Sequence, residues 1–199
     1  MHKPMLQAHR GVSTDRPENT MAAFLAAVEQ NYDTIELDPN YTADGEIVIL
    51  HDSTLERTAR KADGTLPAPG LKITEITLEE ARRFEYGSWF GPEYKGEAIP
   101  LLEEALQFAA RQNIPVKIDN KIERFPAEIT EKLYALLEQY QDILCLTTGK
   151  TELIHAYARR FPAAQLHYDG PVDAAALEEL QAQNARQIKR KQKKLSRKG

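Results

Sequence analysis

Seven polar residues have types and spacings that could do chemistry: His9, Arg10, Glu36, Asp38, His51, Asp119 and Lys121. Glu36 and Asp38 flank Leu37 in a run, Thr34 to Asp38, where apolar and β-branched residues alternate with acids. A strand repeats every two side chains, so both carboxylates fall on one face. Their repulsion away from water is costly unless protons or a cation offset it, and hard divalent cations take oxygen ligands of this kind. A solvated edge strand would explain an isolated E-x-D just as well. A second acid favours a site instead: in Ile114 to Lys121, Asp119 shares a face with Lys121. Asp119 offers a third carboxylate ligand, and Lys121 a compact charge for a phosphate oxygen.

His9 closes one apolar stretch and His51 another (Ile47 to Leu50), so both imidazoles stand where a strand gives way to a loop. Histidine titrates near neutrality, and a facing pair can serve as base toward an attacking hydroxyl and acid toward a leaving alkoxide. Arg10 adds a planar fork for phosphate. Glu18-Asn19 opens a helix whose N-terminal amides favour a nearby anion. Together these residues point to phosphoryl chemistry.

The elements that must position them read as strands at Pro4 to His9, Thr34 to Asp38, Glu46 to Leu50, Ile114 to Asp119, Ile143 to Thr147 and Ala164 to Tyr168. Helices fall at Thr20 to Gln30, Leu102 to Gln112, Pro126 to Gln139, Thr151 to Arg160 and Asp173 to Ala185, the alternation of βα units. Residues 53–96 interrupt the rhythm with three prolines and five glycines around one short helix, Leu78 to Phe84, and read as an insertion over the mouth of the fold. Its Tyr86, Trp89 and Phe90 suit either a pocket wall or a small core of the insertion itself.

Set in order, these motifs resemble the glycerophosphodiester phosphodiesterase family. The resemblance rests on His9-Arg10-Gly11, Pro17-Glu18-Asn19-Thr20, Ile35-Glu36-Leu37-Asp38, Thr42 with Asp44-Gly45, His51-Asp52, Leu55 with Arg57-Thr58, and Ile99-Pro100-Leu101-Leu102-Glu103-Glu104. It implies an α/β fold of the TIM (β/α)8 type and hydrolysis of a small-molecule glycerophosphodiester to glycerol 3-phosphate and an alcohol. It also implies a Mg²⁺ or Ca²⁺ ion held by Glu36, Asp38 and Asp119, with His9 and His51 as the acid/base pair and Arg10 and Lys121 binding phosphate. Two alternatives stay open: a related barrel acting on another phospholipid-derived diester, and a truncated, inactive barrel that only binds ligand.

The chain departs from the family in two places. Where the family has I-E-x-K, this chain has Ile118-Asp119-Asn120-Lys121, a carboxylate one methylene shorter, and Lys117 on the same face is also atypical. At the other end, no apolar strand remains after Ala185, so about the last two barrel strands are missing from a fold that typically takes about 250 residues. The expected organisation is one catalytic domain over residues 1–185 and a basic tail over 186–199.

Composition sets the outer bounds. A 42% hydrophobic and 28% charged chain of 199 residues is that of an ordinary globular domain. No stretch has the length and apolarity of a membrane span, and no apolar leader precedes the first strand, so a cytoplasmic protein is expected. The tail concentrates eight Lys/Arg without an acid but lacks interleaved aromatics, and nucleic acid is not an expected partner. The single cysteine, Cys145, lies in an apolar run and excludes an internal disulfide.

Overall fold

The computed structural model describes residues 5–171 together with Glu178 and Gln181. Apart from Glu178 and Gln181, the expected helix from Asp173 to Ala185 lies outside the described residues, as does the basic tail. Five strands form a parallel sheet in the order β1 (Gln7–Ala8), β2 (Thr34–Leu37), β5 (Val116–Ile118), β6 (Leu144–Thr148) and β7 (Gln165–Tyr168). The strands between β2 and β5 in sequence, β3 (Pro39–Tyr41) and β4 (Ile47–Ile49), pair with each other antiparallel in a separate hairpin. Within the sheet each successive strand adds at the same edge, which is barrel-type winding; a doubly wound sheet would reverse direction part-way.

The hairpin corrects the expectation that Glu46 to Leu50 would be a strand of the barrel. Only Thr42 to Glu46 separate β3 from β4, and two strands can be parallel neighbours only with a crossover of a dozen or more residues between them. Gly45 takes a left-handed φ of 76° to close the turn, while Thr42 Oγ1 accepts a hydrogen bond from Glu46 N at 3.0 Å. Asp44-Gly45 just before the apolar run Ile47 to Leu50 is the local signal for this turn. The parallel sheet therefore has five strands among the described residues, where six had been read.

Helices follow the strands. α1 (Met21–Glu29) starts at Thr20, whose hydroxyl caps Ala23 N at 3.3 Å. In the insertion, α2 (Leu78–Ala81) is held by a capping box between Thr77 and Glu80. It is one turn long, shorter than the Leu78 to Phe84 expected. α3 (Leu102–Gln112) and α5 (Thr151–Arg160) match their sequence bounds, and α4 (Ala127–Leu137) lies within its expected range. α3 ends where Asn113 adopts φ 52°, a left-handed cap that Asn tolerates better than most residues.

The main core packs α1, α3, α4 and α5 on the sheet through Phe24, Leu106, Leu133, Tyr157 and Phe161 against Ile35, Leu37, Ile118 and Leu146. A second, smaller core gathers Val48, Leu50, Leu55, Ile73, Ala81, Tyr86 and Ile99 under the insertion. Tyr86 is buried there, its hydroxyl donating to Ala81 O at 3.1 Å. The insertion thus has its own apolar support and can stand as a fixed wall beside the strand ends.

Candidate active site

All seven sequence-selected residues lie at the C-terminal ends of strands or in the loops that leave them. β1 ends at Ala8 and releases His9 and Arg10; β2 ends at Leu37 beside Asp38. β4 is followed by Leu50 and His51, and β5 by Asp119 and the 3-10 turn bearing Lys121. This is the end of a barrel-type sheet where functional groups gather, because the loops there vary without disturbing the strands.

β2 is an internal strand, flanked by β1 and β5, and all four of its residues are buried. The solvated-edge alternative for Glu36 and Asp38 is therefore wrong: they are only 4% and 2% exposed. Ligand oxygens of Glu36, Asp38 and Asp119 all lie within 4.8 Å of one another. Burial, with the adjacent charges of Asp38 and Asp119, pushes the Glu36 carboxyl up to about 7. A three-carboxylate, all-oxygen donor set under mutual repulsion fits a hard divalent cation, whose charge would relieve it.

Asp38 behaves differently although it is as deeply buried. Burial pushes its carboxyl up, but hydrogen bonds from Asn19 and Lys121 together with the Lys121 charge outweigh this and hold it low. Asn19 Nδ2 donates to Asp38 Oδ2 at 2.9 Å and Lys121 Nζ to Oδ1 at 2.8 Å. Arg10 Nε approaches Oδ2 at 3.3 Å. Lys121 also donates to His51 O at 3.1 Å, so the residue expected to meet phosphate is here tied between Asp38 and the His51 loop.

The two histidines are held unequally. His51 Nδ1 is 2.6 Å from Asp52 Oδ1, a contact that orients the ring and, with the proton on Nδ1, leaves Nε2 free to exchange one. The His9 side chain is 63% exposed, with Nε2 4.0 Å from Glu36 Oε2. Partial burial and the neighbouring Arg10 charge lower its basicity. Arg10 itself sits at φ 58°, which turns its backbone N–H onto Glu36 Oε2 at 3.0 Å while Nη1 donates to Glu18 Oε1 at 3.0 Å.

Gly11 makes this turn feasible. It has φ 76°, and a Cβ there would stand 2.6 Å from the Ala23 Cβ of α1, so the His9-Arg10 loop can lie directly on the helix only with glycine at this position.

Four side chains complete the constellation: Glu18 and Asn19, read from sequence only as the opening of a helix, and Asp52 and Arg57, read only as motif positions. Arg57 reaches both Glu18 and Asp52. Their presence in P-E-N, H-D and L-x-R-T was visible, but which groups they would touch was not. His167, at the end of β7, lies opposite Thr147, and its basicity is lowered by partial burial and the Lys117 charge. The Cys145 thiol is pushed up by burial. Trp89 and Phe90 meet edge-to-face at 5.7 Å, and Trp89 Nε1 donates to Tyr86 O at 3.0 Å.

A barrel-type parallel sheet thus has carboxylates, two histidines, Arg10 and Lys121 gathered at its C-terminal end. Residues 9–191 match the profile described as the glycerophosphoryl diester phosphodiesterase family, and the chain belongs to that family. It is 40% identical over 133 residues to YhdW of Bacillus subtilis, covering 67% of this chain and 51% of that protein. With the glycerophosphodiester phosphodiesterase of Caldanaerobacter subterraneus it shares 38% identity over 140 residues, 69% of this chain and 54% of the relative. The chain thus spans about half the length of these relatives. Among solved structures, an Oleispira antarctica phosphodiesterase in complex with the product sn-glycerol-3-phosphate superposes with a TM-score of 0.70 at 29% identity, covering 91% of this chain and 72% of that one.

Proposed function

We propose that this protein hydrolyses glycerophosphodiesters to glycerol 3-phosphate and an alcohol. The observation that carries the proposal is the cluster of Glu36, Asp38 and Asp119, the first two buried and the third half-buried, with Arg10, Lys121 and two histidines at the same strand ends. Family membership and the product complex of the Oleispira relative support the substrate class.

In this reading Glu36, Asp38 and Asp119 hold Mg²⁺ or Ca²⁺. When bound, such an ion polarises a phosphoryl oxygen and neutralises charge that develops on it. Arg10 and Lys121 bind the non-bridging oxygens, and their present carboxylate partners keep both cations pointed at the strand ends before substrate arrives. One imidazole takes a proton from the attacking water as the other protonates the alkoxide, which leaves as the alcohol when its bond to phosphorus breaks. His51 has the better-defined geometry for its part, since Asp52 fixes the ring. His9, open to solvent, can follow the substrate.

The test is hydrolysis of glycerophosphocholine by the purified chain with Mg²⁺, with Ca²⁺ and with EDTA, read by coupled detection of glycerol 3-phosphate. Metal-dependent product is expected. Binding of metal and glycerol 3-phosphate without turnover of any diester would overturn the enzymatic reading and leave a ligand-binding barrel.

A further inference from the structure

We propose that Arg57 is a positioning residue that ties the His51 imidazole to the Arg10 guanidinium, so that one cation sets both the proton-transfer group and the phosphate-holding group. The inference rests on the phosphodiesterase reading above and adds to it a residue that touches neither the metal cluster nor the histidines directly.

The path is continuous. His51 Nδ1 lies 2.6 Å from Asp52 Oδ1, and Asp52 Oδ2 accepts from Arg57 Nε at 2.5 Å. Arg57 Nη1 and Nη2 then donate to the two oxygens of Glu18, each at 2.7 Å. Glu18 Oε1 also accepts from Arg10 Nη1 at 3.0 Å. The links made by Arg57 and Arg10 are ion-paired hydrogen bonds, bidentate between Arg57 and Glu18, and the His51–Asp52 link is a hydrogen bond to the imidazole ring.

Only arginine can do this with one side chain. Its planar fork presents Nε and both Nη groups in set directions, whereas a lysine ammonium is a point charge on a flexible stem and cannot hold two carboxylates in a fixed mutual orientation. The side of the fork is covered by the Trp89 ring, whose centroid is 6.0 Å from Arg57 Cζ. Trp89 is itself fixed by its hydrogen bond to Tyr86 O, and Tyr86 is buried in the second core. The second core thus reaches Arg57 through Tyr86 and Trp89. The Glu18 and Asp52 side chains are 11% and 28% exposed and Arg57 is 43% exposed, so the carboxylates are the sheltered side of pairs that Arg57 closes from the solvent side.

An ordinary loop salt bridge would show the same distances, so the test must separate placement from stability. Arg57→Met, Arg57→Lys, Asp52→Asn and the Asp52→Asn/Arg57→Met double variant are compared for kcat and KM on glycerophosphocholine. Affinity for sn-glycerol 3-phosphate is measured by calorimetry alongside thermal melts.

Arg57→Met is expected to lower kcat by about 10- to 100-fold through His51 and to weaken sn-glycerol 3-phosphate severalfold through Arg10. Arg57→Lys should recover part of each loss. Because the links act in series, the double variant should be no worse than the poorer single one within about a factor of two. Wild-type kcat and affinity per folded molecule in Arg57→Met, whatever its melting temperature, overturn the proposal; so do fully multiplicative losses in the double variant. If the wild-type chain binds sn-glycerol 3-phosphate but turns over no diester, the enzymatic reading fails alone, and the affinity of Arg57→Met still decides the Arg10 half. A chain that neither binds nor turns over sinks both.

Discussion

At Glu36 a carboxyl group is held near neutrality by burial and by two neighbouring acids, while two residues along the strand Asp38 stays ionised under Asn19 and Lys121. One cluster thus contains both a strained and a satisfied carboxylate, and the strained one identifies where positive charge is wanted. If His9 and His51 move protons as proposed, His9→Ala and His51→Ala should each lower kcat by about 10²- to 10⁴-fold with an unchanged circular dichroism melt, as neither side chain belongs to a core. Wild-type turnover in both would remove the acid/base assignment.

Arg57 gives the pH prediction at this scale. Burial alone would raise Glu18 and Asp52, but hydrogen bonds and charge from Arg57 hold both below the usual carboxylate range. A depressed folded-state value means that the pairing stabilises the fold above the unfolded carboxylate range and loses that contribution as pH falls through the folded values. Melting temperatures of wild type and Arg57→Met should therefore differ by a constant amount from pH 7 down to about 5. Below about pH 4 the two should converge. A gap that persists undiminished into acid would mean that Arg57 stabilises by packing rather than by charge.

Elements put these residues within reach of each other, and the tightest junction is the contact of the His9-Arg10-Gly11 loop with α1. Gly11→Ala must both adopt an unfavourable φ and push into the Ala23 backbone, whereas Gly64→Ala, with φ 84° and open space around it, meets only the first difficulty. Urea denaturation should show a loss for Gly11→Ala exceeding that for Gly64→Ala by at least about 1 kcal/mol, the scale of a forced core overlap. Equal losses would mean that the loop can lift from the helix at little cost. The hairpin has a comparable part in the architecture. It returns the chain from Asp38 to His51, with Leu50 N donating to Asp38 O at 2.9 Å, and so brings a histidine thirteen positions away back to the carboxylate cluster.

For the molecule as a whole, the five parallel strands form one arc with β1 and β7 as its end strands among the described residues, and the chain spans about half the length of its relatives. The carboxylate cluster nonetheless draws only on β2 and β5, which are neighbours inside that arc. Metal binding is therefore expected of this chain as it stands. A ligand that binds only the folded state adds about 2.7 kcal/mol at a hundredfold excess over Kd, so Mg²⁺ or Ca²⁺ should raise the melting temperature by several degrees and EDTA reverse it. The shift should vanish in Asp119→Ala; a shift that survives there would place the ion elsewhere. No helix among the described residues is long and apolar enough to cross a membrane.

Much of the site was legible because short-range periodicity decides it. The alternation in Thr34 to Asp38 sets Glu36 and Asp38 two apart on one face. The bounds of α3 and α5 followed from local amphipathic pattern in the same way. The strand period read over Ile114 to Lys121 does not pair Asp119 with Lys121, because β5 ends at Ile118 and a 3-10 turn over Asn120–Arg124 carries Lys121 to the site instead. What local pattern could not decide was pairing. Whether Glu46 to Leu50 joins the parallel sheet or folds back on Pro39 to Tyr41 depends on the connection closing into a tight turn. The burial of Glu36 depends on which strands flank β2, and the reach of Arg57 to Glu18 spans 39 positions. The sequence by itself determined the chemical groups and their local faces, because those follow from residue type and a two- or 3.6-residue period. Only the tertiary structure decided which carboxylate is strained, which cation it meets and which histidine is held. Those properties come from desolvation and from distances between groups that the chain separates by tens of residues.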